Sequence, residues 1–348
     1  MRRNIKKSMV LLGLCGVLAF SGCGNEELEE QYNHAAALLE SGDYSGAADA
    51  FQALAVSSDE MLAESYRGLG IAEFNRGNYA EASIAFSKSL LYMETENEDF
   101  EKDVNSYLAM SRSRRMEYEE AIKVYDELIQ KYPETEYYYQ RGKCYIQLKN
   151  YEMAKADFDA AAENSTDSAM FISIYEIYDD LQMNADGSAY LEKGLTLVGE
   201  DDHYSRGLIY YYLQEYGNAK DALISAVNED HNKDAVLLLG KVYLAMEDIA
   251  SARAVYQEYV DDDEVGAEAY NGLALCDIQQ GDYENALTNV QKGLELADDS
   301  AKKSLLFNEL SIYEYLNDWP TAREKVSEYL AKYPNDEAGI REQQFLNH

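Results

Sequence analysis

Proline and histidine are scarce in this 348-residue chain, and two motifs of catalytic and phosphate-binding sites are missing. It has three prolines: Pro133 and Pro334 lie after the ends of predicted helices, and Pro320 lies in the first turn of one, where proline is tolerated. Its four histidines fall at unrelated positions, so no pair has the spacing of metal ligands on one helix face. A Gly-rich phosphate loop and a Gly-x-Ser-x-Gly motif are both missing. We therefore expect a non-enzymatic protein with no metal or other cofactor.

Basic residues are outnumbered by acidic ones. There are 30 Lys and Arg against 65 Asp and Glu, which gives a formal net charge of −35. A surface of this sign repels nucleic acid and anionic lipid headgroups. The composition thus excludes nucleic acid as a partner, and it predicts that the folded body does not adhere to a membrane through its own surface.

An apolar run close to the N-terminus is too short to span a membrane. Basic residues among the first seven positions precede an apolar stretch over residues 9–20, which ends at Ser21 and Gly22. A spanning helix needs about 20 apolar residues, whereas a basic segment followed by a shorter apolar one is typical of a secretory signal peptide. We predict that residues 1–22 are a signal peptide and that the protein is exported.

The cysteine that follows this stretch suggests a lipid anchor. The segment Ala19-Phe20-Ser21-Gly22-Cys23 resembles the lipobox of bacterial lipoproteins, in which small residues precede a cysteine that is diacylated and becomes the new N-terminus. Phe20 departs from the pattern, which usually has an aliphatic residue there. The resemblance implies acyl chains such as palmitate on Cys23 and a short tether over residues 23–27. It places the protein on the outer face of the bacterial cytoplasmic membrane, or on the outer membrane if the organism has one.

A glycine-led phrase recurs along the rest of the chain at intervals of 32 to 39 residues. Its clearest copy is Arg76-Gly77-Asn78-Tyr79-Ala80-Glu81-Ala82. We call the residue aligned with Tyr79 the anchor of each unit, and a small residue stands three positions after it. Such spacings of three and four indicate helices in close contact, so the sequence predicts about nine helix–turn–helix units. The anchors are Tyr44, Tyr79, Tyr118, Tyr151, Asn184, Tyr216, Ile249, Tyr283 and Trp319.

These units resemble the tetratricopeptide repeat, whose pattern has an aromatic residue, Leu-Gly and Tyr on a first helix, and Ala and an aromatic residue on a second. The second unit is the clearest, with Tyr66, Leu69-Gly70, Tyr79, Ala82 and Phe86 in register. The unit around Asn184 departs most. The resemblance implies an all-α, right-handed superhelical solenoid over residues 28–334, followed by a capping helix within residues 335–348.

Two sets of residues follow from the alignment of the units. We expect one set to pack the helices of each repeat together: Gly70, Tyr79, Ala82, Ala121, Gly142, Ala154, Gly207, Gly240, Ala252 and Ala286. Cys144 and Cys276 fall at equivalent places in separate repeats, too far apart for a disulfide, and we expect both to be unpaired and buried.

The second set would face the concave groove that first helices line in this family. Its predicted members are Phe74, Tyr139, Lys143, Tyr204, Tyr211, Tyr212, Lys241, Phe307 and Tyr315. A protein rarely exposes so apolar and aromatic a patch without a partner, and tyrosine supplies contact area at low entropic cost. The Lys and Asn of the family's carboxylate clamp are not present. A tight superhelix could instead bury some of these side chains.

The predicted function is therefore a lipid-anchored extracytoplasmic scaffold that binds proteins or peptides in its groove, for envelope assembly or the organisation of complexes. We expect contact with the membrane through the N-terminal lipid only. A glycan- or solute-binding lipoprotein whose groove tyrosines stack on sugar rings is the alternative. Against it, the sequence lacks the α/β pattern of two-lobed solute-binding proteins.

Overall fold

The computed structural model describes residues 26–229, 232–261 and 266–347. In these residues the chain forms 19 α-helices and no β-strand, which confirms the predicted all-α fold. The helices are α1 (Glu26–Glu40), α2 (Tyr44–Ser57), α3 (Leu62–Arg76), α4 (Tyr79–Leu91), α5 (Glu98–Arg114), α6 (Tyr118–Lys131), α7 (Thr135–Gln147), α8 (Tyr151–Asn164), α9 (Ser168–Asp180), α10 (Asn184–Leu197), α11 (His203–Tyr212), α12 (Tyr216–Asn228), α13 (Lys233–Ala245), α14 (Ile249–Asp261), α15 (Ala267–Gln280), α16 (Tyr283–Leu296), α17 (Asp299–Tyr315), α18 (Trp319–Lys332) and α19 (Glu337–Leu346).

The anchors mark the first residue of the second helix in every pair, from Tyr44 at the start of α2 to Trp319 at the start of α18. This corrects one detail of the predicted pattern, which placed the tyrosine on the first helix. The degenerate fifth unit is a helical pair like the others, formed by α9 and α10. Because the spacing between anchors survives where the motif residues do not, it is the more reliable guide to the repeat.

Each turn between the helices of a pair uses one residue in the left-handed region, two positions before the anchor. Glycine occupies this place in three turns, at Gly42, Gly77 and Gly281, with φ of 75° to 84°. The other six turns have residues with a side chain there, with φ of 58° to 63°, which costs about 1 kcal/mol or more for each. The turn geometry is therefore common to the repeats even where glycine is replaced. The six residues are Met116, Lys149, Gln182, Gln214, Glu247 and Asn317.

The described chain separates into two compact units, one from α1 to α8 up to Ser165 and one from α9 to α19 beginning at Thr166. Within each unit the two helices of a repeat contact each other, and the second helix also contacts the first helix of the next repeat. No pair can bury its apolar face alone, so each relies on its neighbours, as in other repeat proteins.

Large side chains on second helices pack against small residues on first helices. Gly70 on α3 lies against the ring of Phe86 on α4, and Gly142 on α7 lies against Phe158 on α8. A Cβ atom at either glycine would come closer than 3.0 Å to the ring, a distance that real Cβ atoms do not show. Both phenylalanines are fully buried, so these contacts set how closely the helices approach.

Buried charged pairs connect neighbouring helices in both units. In the first, Asp157 on α8 accepts hydrogen bonds from Arg141 on α7, with Nη2 at 2.6 Å and Nε at 2.9 Å, while Arg141 Nη1 reaches Asp126 on α6 at 2.6 Å. In the second, Asp277 on α15 accepts from Arg253 Nη2 at 2.5 Å and from the Asn289 amide at 2.7 Å. No sequence motif indicates these residues.

The short helix α19 covers the last repeat, as predicted. Leu346 is buried against α18, and the Arg323 guanidinium donates a hydrogen bond from Nε to the Leu346 carbonyl oxygen at 2.7 Å. Lys303 on α17 pairs with Asp336, whose side chain accepts a hydrogen bond from the Gly339 amide and caps α19. These bonds hold α19 on α17 and α18.

One carboxylate pair opposes this docking at neutral pH. Burial, together with the nearby carboxyl of Glu342 on α19, raises the pKa of Glu314 on α17 to about 7 from its usual 4.5. A raised acid pKa means that the folded state favours the protonated form, so stability is lost as the pH rises from about 4.5 to about 7. We therefore predict that Glu314→Gln raises the melting temperature at pH 7.5 but not at pH 4.5, measured by circular dichroism. A uniform effect at both pH values would contradict this account.

Among the described residues, none of the helices is both long and apolar enough to cross a membrane. Cys144 and Cys276 are buried free thiols, in agreement with the sequence prediction. The predicted signal peptide, residues 1–22, and the predicted acylation site Cys23 lie outside the described residues, so both remain predictions.

Candidate binding surface

The first helices of successive repeats approach one another directly in each unit. In the N-terminal unit α3 contacts α1 and α5. In the C-terminal unit each first helix from α9 to α15 contacts the next first helix, the last pair being α15 and α17. In a curved stack of helical pairs, the helices that crowd together lie on the concave side. The candidate binding surfaces are therefore the side chains that first helices present away from the second helices. The first helices are α1, α3, α5 and α7 in the N-terminal unit and α9, α11, α13, α15 and α17 in the C-terminal unit.

A salt bridge between repeats occupies part of this surface in the N-terminal unit. Arg67 on α3 is only 8% exposed, and its Nε lies 2.6 Å from Asp103 Oδ2 on α5. The guanidinium also lies over the Phe100 ring. Because the carboxylate and the ring already contact this guanidinium, Arg67 holds neighbouring repeats together more than it offers a charge to a ligand.

Lys143, in the same unit, can still form an ion pair with a ligand. Its side chain is exposed on α7, with Nζ 3.1 Å from Gln140 Oε1 and 5.1 Å from the centre of the Tyr139 ring. Within the described part of the chain this amine makes no ion pair. Desolvation by the neighbouring helices lowers the pKa of Lys143, and Arg114 on α5 acts in the same direction while Glu136 opposes it. Tyr139, Lys143 and Arg114 together can receive an acidic group.

The C-terminal unit presents a tyrosine cluster instead. Tyr211 and Tyr212, at the end of α11, have ring centres 5.8 Å apart, and Tyr212 packs 4.8 Å from Tyr175 on α9. The Tyr212 hydroxyl donates a hydrogen bond to Glu176 Oε1 at 3.0 Å. Burial raises the pKa of Tyr212, and the Glu176 carboxylate raises it further. Both predicted groove tyrosines are half-buried, so part of each side chain stays accessible to a ligand.

Tyr204 differs from the prediction. It is 8% exposed and belongs to the core cluster that includes Leu223 on α12 and Leu238 on α13. α11 is a short helix, and Tyr204, its second residue, fills the space where the next repeat packs. The ring therefore contributes to the stability of the unit and is not available to a ligand.

The remaining groove candidates differ in exposure. Phe74 is half-buried, edge-on to Tyr79 and Tyr107, and Phe307 packs edge-on against Tyr329 at 5.6 Å. Tyr315 is 54% exposed and stacks on Tyr283 with ring centres 5.2 Å apart.

Lys241 on α13 is the second exposed lysine among the groove candidates. Desolvation lowers the pKa of Lys241, and Glu268 opposes this effect. Like Lys143, it adds a positive charge to a first-helix surface.

The residues predicted to pack the repeats lie between helices. Gly207 faces Leu223, Gly240 faces Tyr256, and Tyr79 begins α4 with its ring against Phe74. The five alanines of this set have no exposed surface: Ala82, Ala121, Ala154, Ala252 and Ala286. No group of three or more His, Cys, Asp or Glu side chains is placed to hold a metal ion in the described residues.

Sequence comparison agrees with this architecture. Profiles of the tetratricopeptide repeat match residues 32–91, 105–135, 135–167 and 237–301. These ranges include more than half of the chain and parts of both units. The chain belongs to the tetratricopeptide repeat family, whose fold is that of a scaffold for protein–protein interaction.

Individual relatives are distant. BBSome complex member BBS4 from Bos taurus is 26% identical over 87 residues, which are 25% of this chain and only 17% of that protein. A tetratricopeptide repeat protein from Parabacteroides merdae is 18% identical with a TM-score of 0.46, covering 81% of this chain and 98% of that one. PilW, a type IV pilus biogenesis factor, is 17% identical with a TM-score of 0.43, covering 62% of this chain and 98% of that one.

Proposed function

We propose that this protein is an exported lipoprotein, acylated at Cys23, whose first-helix surfaces hold a protein or peptide partner at the bacterial cell envelope. On this proposal it organises or assembles envelope complexes and is not an enzyme. The family's role as an interaction scaffold supports a macromolecular partner. The observation that carries the choice of surface is the set of exposed or half-exposed aromatic and basic side chains on first helices.

The two surfaces favour different parts of a partner. Lys143, Arg114 and Tyr139 in the N-terminal unit suit an acidic side chain or a chain terminus, because charge-assisted hydrogen bonds to carboxylates are the strongest kind. Tyr211 and Tyr212 in the C-terminal unit suit aliphatic or aromatic side chains, since tyrosine edges combine apolar area with a hydroxyl group.

The proposed anchor constrains where the N-terminal unit acts. α1 begins at Glu26, three residues after Cys23, so the chain between them can span at most about 10 Å. The first repeat would therefore work next to the bilayer, although the acidic surface is repelled by anionic headgroups.

The anchor can be tested by replacing the cysteine. We predict that Cys23→Ser abolishes incorporation of labelled fatty acid and releases the protein from the membrane fraction, because a single residue bears both acyl chains. Cys15→Ser is the matched control and should retain the label. Continued labelling or unchanged membrane retention of the Cys23→Ser protein would refute lipid anchoring at this residue.

The proposed role of the groove can be tested by comparing the proteins that cross-link in the cell to the wild type and to groove variants. We expect the double variant Tyr211→Ala/Tyr212→Ala to lose most of the protein partners that cross-link to the wild type, because both rings line the first-helix surface of the C-terminal unit. Tyr151→Ala is the control. Tyr151 is 40% exposed, but it is the first residue of α8, a second helix, and so lies outside the proposed groove. Circular dichroism should show that all variants are folded. An unchanged set of partners for the double variant would contradict the groove.

The glycan-binding alternative depends on one observation, the exposed face of Tyr315 opposite its stacking partner Tyr283. A sugar ring could stack there. Binding of the wild type on a glycan array that is lost in Tyr315→Ala would favour this function over a protein partner.

A further inference from the structure

A cleft of about 570 Å³ lies between the second helices α4 and α6 of successive repeats, with the last turn of α5 between them. We call it the α4–α6 cleft. It does not involve the first-helix surfaces described above. Its lining includes Ile84, Lys88, Leu91, Arg112, Glu117 and Glu120.

Aliphatic side chains line one wall of the cleft and are open to solvent. Ile84 and Leu91 on α4 are 59% and 76% exposed. They are separated by seven residues, and Lys88 lies between them, so all three share one face of the helix. Large aliphatic side chains this exposed within a concave site mark a surface on which a partner can bury apolar area.

Two positive charges in the cleft have no carboxylate partner among the residues that the structure describes. The Lys88 ammonium lies 4.8 Å over the centre of the Tyr66 ring, and Arg112 Nη1 donates to the Glu120 carbonyl oxygen at 3.2 Å. Neither makes an ion pair within the described ranges.

The carboxylates of the cleft already form ion pairs with basic residues of the chain. Glu117 pairs with Arg115 at 2.8 Å, and the Glu120 carboxylate pairs with Lys123 at 3.4 Å. In a chain with a net charge of −35, the cleft is thus a local positive site bordered by aliphatic groups.

We propose that the α4–α6 cleft docks a peptide segment of a partner protein that carries aliphatic side chains next to carboxylates. The aliphatic groups would bury Ile84 and Leu91, and the carboxylates would pair with Lys88 and Arg112. Charge complementarity of this kind raises association rates and selects against other partners. The site would give the scaffold a second docking surface, independent of the groove.

Two other occupants fit the site less well. A second copy of this chain would bring an equal net charge of −35, and the two copies would repel each other. The anionic headgroups of a bilayer would approach Glu117 and Glu120 and would be repelled by the acidic surface of the chain.

A random dodecapeptide display library, selected on the purified full-length protein, tests the proposal. We expect selected peptides to combine aliphatic residues with Asp or Glu. Their affinity, measured by fluorescence anisotropy, should fall at least about tenfold for Lys88→Glu/Arg112→Gln and for Ile84→Ser/Leu91→Ser. The controls Lys155→Glu and Val56→Ser, which change exposed residues outside the cleft, should bind as the wild type does.

Three results would overturn the proposal. The first is a selection in which no peptide distinguishes the wild type from the two cleft variants. The second is self-association in analytical ultracentrifugation that the cleft variants abolish, which would assign the surface to a second copy. The third is binding to phosphatidylglycerol-containing vesicles that depends on Lys88 and Arg112, which would assign it to a membrane. The second and third results do not depend on whether the first-helix groove binds a partner.

Discussion

Replacing Tyr256 with alanine is expected to lower the free energy of unfolding by about 3–5 kcal/mol, the usual cost of removing a large buried aromatic side chain. The ring is 2% exposed and lies between Gly240 on α13 and Gly272 on α15. Its hydroxyl also donates a hydrogen bond to the Leu237 carbonyl oxygen at 3.4 Å. Because two consecutive repeats pack on this one ring, its loss opens a cavity between them. Urea denaturation followed by circular dichroism measures the effect.

Two variants separate the packing of this ring from other effects. Tyr256→Phe keeps the ring and should cost only about 1 kcal/mol, the usual contribution of one hydrogen bond. Gly240→Val adds atoms where the ring already lies and should also destabilise, by about 1–3 kcal/mol or more. A Tyr256→Ala protein as stable as Tyr256→Phe would show that the ring is not held between the two glycines.

Asp157→Ala is expected to destabilise the N-terminal unit by about 1–3 kcal/mol, because the Nε and Nη2 donors of Arg141 lose their acceptor inside the protein. Asp157 is 3% exposed and accepts two hydrogen bonds from Arg141. Its removal leaves the buried part of the guanidinium unpaired between α7 and α8. The same denaturation measurement applies.

The matched control is the other carboxylate on the same guanidinium. The side chain of Asp126 is 51% exposed, so Asp126→Ala should change the free energy of unfolding by at most about 1 kcal/mol. Equal losses for Asp126→Ala and Asp157→Ala would contradict the conclusion that burial makes the Asp157 pair important.

The repeat spacing made much of the fold predictable. Counting from Tyr79 located the turn within every repeat, including the turn before α10 at Asn184, where almost no motif residue is left. Periodicity succeeds here because the same packing of a small residue against a large one recurs in each repeat. The left-handed residue in each turn was predictable only at Gly42, Gly77 and Gly281, since residues such as Met116 and Gln214 give no sign of a positive φ.

The binding surface was less predictable. A position in the repeat shows which side of a helix a residue is on, but its exposure depends on side chains contributed by the neighbouring repeats. Tyr204 and Tyr211 both lie on α11 at predicted groove positions, yet the first is buried and the second is half-exposed. The Asp157–Arg141 pair and the α4–α6 cleft are formed by residues of different helices, and no spacing along the chain indicates either.

Site-specific photo-crosslinking in the cell tests the central claim, that first-helix surfaces hold a protein partner, most directly. A benzophenone amino acid would replace Tyr139, Tyr211 or Tyr315 on first helices, and Tyr151 or Ile84 on second helices. The α4–α6 cleft predicts its own cross-links at Ile84, so Tyr151 is the negative control. We predict cross-links to a discrete protein from Tyr139 and Tyr211 and none from Tyr151. Cross-links from Tyr151 alone, or none from the first-helix positions in folded, membrane-bound protein, would contradict the claim.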